Sequence, residues 1–282
     1  MPSPLVTTQW LQDNLDNERL VLIDASMATV IGKEPIVYDH PIWIPGSRQI
    51  DLEGVLCDTG SFQTHAFPTE EQVTKEAQRL GITAESLVVL YDNQGIYSAP
   101  RAWWIFRAMG VQHVFVLDGG LPQWLAEKRY VVSTIAETTA TPSNFVAHLD
   151  HRRVRNSAYV LQHLDDSGVT VIDARSRSRF LAQVPEPRPG VRSGHIPNSH
   201  NLPFTDVLEE HRFKPVNELK ALFVTFAPPL HSSSESQLVF SCGSGITACI
   251  ILLAAELAGY HQLSLYDGSW ADWGSDASLP VA

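Results

Sequence analysis

The sequence predicts an α/β protein built from two tandem copies of one domain, each a parallel sheet flanked by helices. Three observations carry that expectation. Short apolar runs alternate along the chain with longer segments of helical pattern, as in β-α-β units. Four blocks of the first half recur in the same order in the second half. The length, 282 residues with 44% hydrophobic content, suits two domains of about 130 to 140 residues, each with its own core.

Taken in order, Thr7 to Asn14 reads as a short helix with Trp10, Leu11 and Leu15 on one face. Leu20 to Asp24 reads as a buried strand. The prolines and glycine of His40 to Ser47 forbid regular structure and mark a loop. Glu70 to Leu80 is helical, Leu87 to Tyr91 a strand, and Pro100 to Met109 a helix that opens on proline, which is tolerated in a first turn. Val114 to Leu117 is a further strand, after which Asp118-Gly119-Gly120 turns the chain into the short segment Leu121 to Glu127. The second half repeats these signals. Val171-Ile172-Asp173-Ala174 stands 149 positions after Leu22-Ile23-Asp24-Ala25, and Phe240-Ser241-Cys242 stands 150 after Leu90-Tyr91-Asp92. Ile196-Pro197-Asn198-Ser199 answers Ile44-Pro45-Gly46-Ser47, and Tyr266-Asp267-Gly268-Ser269 answers Leu117-Asp118-Gly119-Gly120. The weakly periodic stretch around Thr139-Ala140-Thr141-Pro142-Ser143 reads as the connection. The expected division is therefore residues 1–137, a linker over 138–155, and residues 156–282.

A net charge of −11 argues against a nucleic-acid surface or an anionic membrane as partner. No apolar run is long enough to span a bilayer, and Met1 to Leu20 lacks the apolar core of a secretory signal. The three cysteines, Cys57, Cys242 and Cys249, have no C-x-x-C spacing, so neither a disulfide framework nor a metal site is expected. The expected compartment is the cytoplasm, where thiols stay reduced.

One of those cysteines has a distinctive setting. Cys242 ends the apolar run Leu238 to Phe240 and begins Cys242-Gly243-Ser244-Gly245-Ile246-Thr247, which leads into a long apolar segment, Cys249 to Gly259. A strand followed by a Gly-rich turn and a helix N-terminus gathers unpaired N–H groups and the positive end of the helix dipole. That setting favours the thiolate, the nucleophilic form of cysteine. Gly243 and Gly245 let the backbone curl into an anion cradle. In the first copy this position is Asp92, which cannot act as a sulfur nucleophile, so the first domain is expected to be non-catalytic. The residue six after Cys242 is Ala248, so the arginine of a Cys-x5-Arg phosphatase is absent. A serine hydrolase is unlikely too, because Gly-Ser-Gly is not a nucleophile elbow.

These residues carry a family resemblance that covers nearly the whole chain. The duplicated domain, the single loop cysteine, Gly194-His195-Ile196-Pro197 and Leu265-Tyr266-Asp267-Gly268-Ser269-Trp270 resemble the rhodanese superfamily. Within it, the Cys242 loop, Glu186-Pro187-Arg188-Pro189-Gly190 and Ser98 to Trp104 resemble the 3-mercaptopyruvate sulfurtransferases. Asn198 departs from the glycine usual after His-Ile-Pro and implies a modest local backbone change. The resemblance implies two tandem rhodanese-like domains and a two-step sulfur transfer through a Cys242 persulfide. Pyruvate is released, and the sulfur passes to a thiol, cyanide or thioredoxin. No cofactor is implied. Thiosulfate is the rival donor, and a non-enzymatic rhodanese-like binding module is the rival of another class, against which Cys242 speaks. The loop lacks the basic residues that would suit a dianionic donor, which favours a monoanionic carboxylate. Arg179 and Arg188 match the family's substrate-binding arginines, and a guanidinium fork suits a planar α-keto carboxylate. Gly243, Gly245 and Ile246 complete the expected binding set. Glu53, His65 and Ser244 match an acid–His–Ser arrangement for proton transfer, although His65 also fits a plain surface-loop histidine. Ser244 and Thr247 suit either hydrogen bonding to sulfur and enolate or ordinary turn and cap chemistry. Arg175 and Arg177 are expected on the surface or in ion pairs, His195 as a structural hydrogen-bonder, Cys249 in the core, and Cys57 in a loop that leaves its exposure open.

Overall fold

The structure is a computed structural model that describes residues 3–135, 143–226 and 236–282. Of the expected linker, Thr138, Thr139, Ala140, Thr141 and Pro142 lie outside the described residues. The chain divides into two compact units.

The first unit comprises residues 1–58, 67–150 and 210–213. Its elements are β1 (Leu5–Val6), α1 (Thr8–Asn14), β2 (Leu20–Asp24), β3 (Arg48–Gln49), α2 (Glu70–Arg79), β4 (Leu87–Tyr91), α3 (Ala99–Ala108), β5 (Val114–Leu117) and α4 (Gly120–Ala126). The strands form a sheet in the order β1-β5-β4-β2-β3, parallel throughout, with Ile23 opposite Leu90 and Leu90 opposite Val116. The central strands are buried on both faces, which is why they read as continuous apolar runs. Thr7 caps α1 by accepting the Trp10 N–H, and Thr69 with Gln72 closes a capping box on α2. The expected loop from His40 to Ser47 holds one isolated bridge, Trp43 to Val132. Cys57, whose exposure the sequence leaves open, is buried (6% exposed). A loop position does not forbid burial where the loop lies over a core.

The second unit comprises residues 59–66, 151–209 and 214–282. In chain order it contains β6 (Val154–Arg155), α5 (Ser157–Gln162), β7 (Val169–Asp173), α6 (Arg177–Phe180), β8 (His200–Asn201) and β9 (Leu208–Glu209). Strand β10 (Arg212–Phe213) falls in the first unit, and α7 (Val216–Phe223), β11 (Gln237–Ser241), α8 (Ala248–Leu257), β12 (Leu263–Tyr266) and α9 (Ser269–Trp273) follow in the second. The sheet order is β6-β12-β11-β7-β8, again parallel, so each strand has a counterpart at the same place in the first sheet. Trp270 and Trp273 of α9 pack with Val171, Ile196, Val239 and Tyr266, while α8 lies on β11 and β12. Asn198 adopts φ +62, and its amide donates to Leu164 O and Asp165 Oδ1. Asparagine tolerates this left-handed conformation, so the departure from glycine is accommodated.

This topology places the site. After β11 the chain crosses to β12 on one side, and after β7 it crosses to β8 on the other. Neighbouring strands whose outgoing chains diverge leave a crevice at their carboxyl ends. The Cys242 loop follows β11 and the arginine segment from Arg175 to Arg188 follows β7, so both open into that crevice.

Candidate active site

The Cys242 loop is held from below by α9 and the turn before it. The Cys242 N–H donates to Ser269 Oγ (3.1 Å), and the Ser269 hydroxyl donates to Tyr266 O (2.9 Å). In return, the N–H groups of Trp270 and Ala271 donate to the carbonyls of Cys242 and Gly243. Ser269 makes these bonds at φ +50. The Tyr266 to Trp270 block therefore fixes the floor of the loop, a role that sequence reading left unassigned. Its recurrence in both copies was the available signal.

At the top of the loop the Gly245 N–H points at Cys242 Sγ (3.1 Å). Gly245 sits at φ +81, a left-handed conformation that disfavours a side chain. Thr247 occupies the cap position of α8, yet its side chain makes no cap hydrogen bond. Cys242, Ser244 and Ile246 are all buried. Cys249 is fully buried in α8 and donates its thiol proton to Gly245 O (3.4 Å), as expected of a core residue.

The first copy shows what such a loop binds. The four N–H groups of Gln94, Tyr97, Ser98 and Ala99 donate to the Asp92 carboxylate at 2.8–2.9 Å, and Asp92 is wholly buried. The first loop is thus an anion cradle that carries its own anion, while the second presents a thiol.

Three side chains converge on the second loop. His65 Nδ1 lies 2.9 Å from Ser244 Oγ, and Arg188 Nη2 donates to the same oxygen at 3.2 Å. Because Arg188 uses one lone pair, the Ser244 hydroxyl retains a proton and a second lone pair for His65. His65 adopts φ +58 and belongs to the second unit. Arg179 and Arg188 both reach Gly243. A Cβ there would stand 3.2 Å from Arg179 Nη2 and 3.5 Å from Arg188 Nη1, so the missing side chain makes room for two guanidinium groups. Burial works against the Arg179 charge, but the Glu186 carboxylate outweighs it and raises the Arg179 pKa further.

Arg175 is buried rather than superficial, and it makes ion pairs with Asp173 and Glu186. Spacing along the sequence does not reveal that its partners lie beneath the crevice. His195 Nδ1 donates to Phe180 O (3.0 Å) and the ring stacks on that of Phe180, in keeping with a structural role. Glu53 lies in the first unit, where its N–H donates to Asp51. Among the described residues no cluster of His, Cys, Asp or Glu is arranged to hold a metal ion.

The rhodanese-like domain family matches residues 7–127 and 156–276, both copies. The chain belongs to the rhodanese family. It is 35% identical over 278 residues to the 3-mercaptopyruvate sulfurtransferase of Escherichia coli K12, covering 98% of this chain and 96% of that protein. It is 33% identical over 299 residues to the mitochondrial thiosulfate/3-mercaptopyruvate sulfurtransferase 1 of Arabidopsis thaliana, covering 99% of this chain and 78% of that one. Among solved structures, the rhodanese-fold 3-mercaptopyruvate sulfotransferase SseA of Escherichia coli matches with a TM-score of 0.80 and 32% identity, over 95% of this chain and 99% of that chain. Rhodanese-family architecture accounts for both sheets. No helix among the described residues is long and apolar enough to cross a membrane.

Proposed function

We propose that this chain transfers sulfur from 3-mercaptopyruvate to a thiol, cyanide or thioredoxin acceptor. The convergence of Arg179 and Arg188 on Gly243 of a loop with no basic residue of its own carries this reading. The guanidinium groups receive the donor carboxylate and set its sulfur against Cys242. The Cys242 thiolate attacks that sulfur. A sulfur–sulfur bond forms, the carbon–sulfur bond breaks, and its electron pair passes to carbon as the enolate of pyruvate. The carbon takes up a proton, the outer persulfide sulfur gives one up, and Ser244 with His65 relays between them. The loop N–H groups, with that of Gly245 on sulfur, stabilise the negative charge. Thr247 and Ile246 line the same loop. An acceptor thiolate then attacks the outer sulfur and regenerates Cys242. Glu53 completes the proton relay in this proposal on family resemblance alone. The first domain carries no sulfur nucleophile at its loop position, Asp92, and the reduced cytoplasm is the compartment we assign.

The names of its relatives make thiosulfate the competing donor. The test is kcat/KM for 3-mercaptopyruvate and for thiosulfate on one preparation. A preference for 3-mercaptopyruvate of about 100-fold, roughly 2.7 kcal/mol in transition-state terms, is expected. A preference for thiosulfate would remove the donor assignment and leave the persulfide chemistry. Turnover of neither would remove both and favour a binding module.

A further inference from the structure

Glu186 is buried beside the site, and the transfer chemistry gives it no role. Its Oε1 accepts from Arg175 Nη1 and Arg179 Nε, both at 3.0 Å, and its Oε2 accepts from Arg179 Nη2 at 2.5 Å. Arg175 is immobile. Its Nε and Nη2 bind the Asp173 carboxylate, its Nη2 also donates to Gly194 O, and its guanidinium lies 4.4 Å from the centre of the Trp270 ring. Glu186 therefore bridges the buried Arg175 block at the end of β7 to Arg179, which reaches Gly243. Among the described residues, Nη1 of Arg179 and Nη1 of Arg188 make no hydrogen bond, and both lie within 3.8 Å of the Cβ position at Gly243.

We propose that Glu186 is a positioning residue for the sulfur donor. It grips the Nε–Nη2 edge of Arg179 and so holds the guanidinium against Gly243, with Nη2 nearest and Nη1 left for the donor carboxylate. A bidentate carboxylate fixes the plane of a guanidinium as well as its place, which a single hydrogen bond would not. Preorganisation of this kind lowers the cost of binding and leaves the bond-breaking step untouched. The inference rests on the donor reading above.

The experiment measures kcat and KM for 3-mercaptopyruvate in the wild type, Glu186→Gln, Arg179→Ala and the double variant, with thermal unfolding of each. Glutamine keeps one acceptor oxygen and the volume but loses the charge and one bond. Glu186→Gln is expected to raise KM about tenfold with kcat within about twofold, and to add nothing further in the Arg179→Ala background. Full loss of kcat/KM persisting in that background, or a fall in kcat at unchanged KM, would overturn the proposal and leave Glu186 a structural ion-pair member. Should Glu186→Gln fail to fold, Glu186→Asp keeps the charge and shortens the reach. An intermediate rise in KM supports positioning, and wild-type kinetics refute it. A wild type that prefers thiosulfate would fail the donor reading alone. The same four proteins would then be compared with thiosulfate: the same pattern of KM values keeps the positioning role of Glu186, and a KM for Glu186→Gln equal to the wild type's overturns it.

Discussion

Gly243 is where steric space becomes specificity. Its φ lies outside the left-handed range, so alanine suits the backbone there. The atoms nearest the added methyl would be nitrogens of Arg179 and Arg188, the closest at 3.2 and 3.5 Å. A shift of a few tenths of an ångström in the two guanidinium groups would relieve the contact. Gly243→Ala is therefore expected to leave thermal stability within about 1 kcal/mol of the wild type while raising the donor KM several-fold. Steady-state kinetics beside a melting curve checks this, and an unchanged KM would detach the arginines from donor binding. At this scale the loop itself was legible, because a nucleophile, two glycines and a helix start lie next to one another in the chain. Glu186, Asp173 and Arg175 were not legible as one unit. An ion-pair network depends on which side chains meet in space, and Arg175 pairs with residues on both sides of a turn that sequence alone does not close.

At the scale of the strand–loop–helix element, the two copies differ in how much the loop contributes to stability. Four N–H groups end on Asp92 in the first loop, whereas Gly245 N–H alone is seen on the Cys242 sulfur. Truncation at Asp92 would strand buried donors, each costly to leave unpaired. Asp92→Ala is expected to destabilise the protein by about 3 kcal/mol or more, and Cys242→Ala by much less, as read from urea midpoints. Equal effects would mean that the carboxylate does not organise its loop. The end of α4 offers a pH-dependent counterpart. Partial burial works to raise the Glu127 pKa, but hydrogen bonds from Gln123, Thr8 and Arg129 hold it down at about 2. A carboxyl whose pKa falls on folding stabilises the folded state above its unfolded value, and that contribution fades as pH falls through the folded value. The wild type is thus expected to exceed Glu127→Gln in stability at neutral pH, the difference shrinking from about pH 4.5 towards pH 2. A pH-independent difference would assign Glu127 a packing role. Elements of this kind were readable where burial is two-sided, as in β2, β4, β7 and β11, because parallel strands then become unbroken apolar runs. Short pieces such as β3 and β8, two residues each, carry no periodicity to read.

For the molecule as a whole, duplication has produced two cradles of one topology with different contents. A carboxylate fills the first, and in the proposed function the thiol of the second is what accepts the transferred sulfur. The remaining cysteines, Cys57 and Cys249, form no disulfide and are buried, and neither replaces Cys242 at the head of a cradle. Persulfide chemistry on this scaffold should therefore be stoichiometric with the chain and not with the number of domains. Excess 3-mercaptopyruvate without acceptor is expected to release one pyruvate per chain in a rapid phase and to add one sulfur atom to the protein, on Cys242. Cys242→Ser, which keeps a comparable side chain without a sulfur nucleophile, is expected to show neither. Rapid-mixing pyruvate release and intact-protein mass spectrometry measure the two quantities independently. Two equivalents, or any sulfur retained by Cys242→Ser, would mean that a second thiol takes part and that the asymmetry of the cradles does not set the stoichiometry.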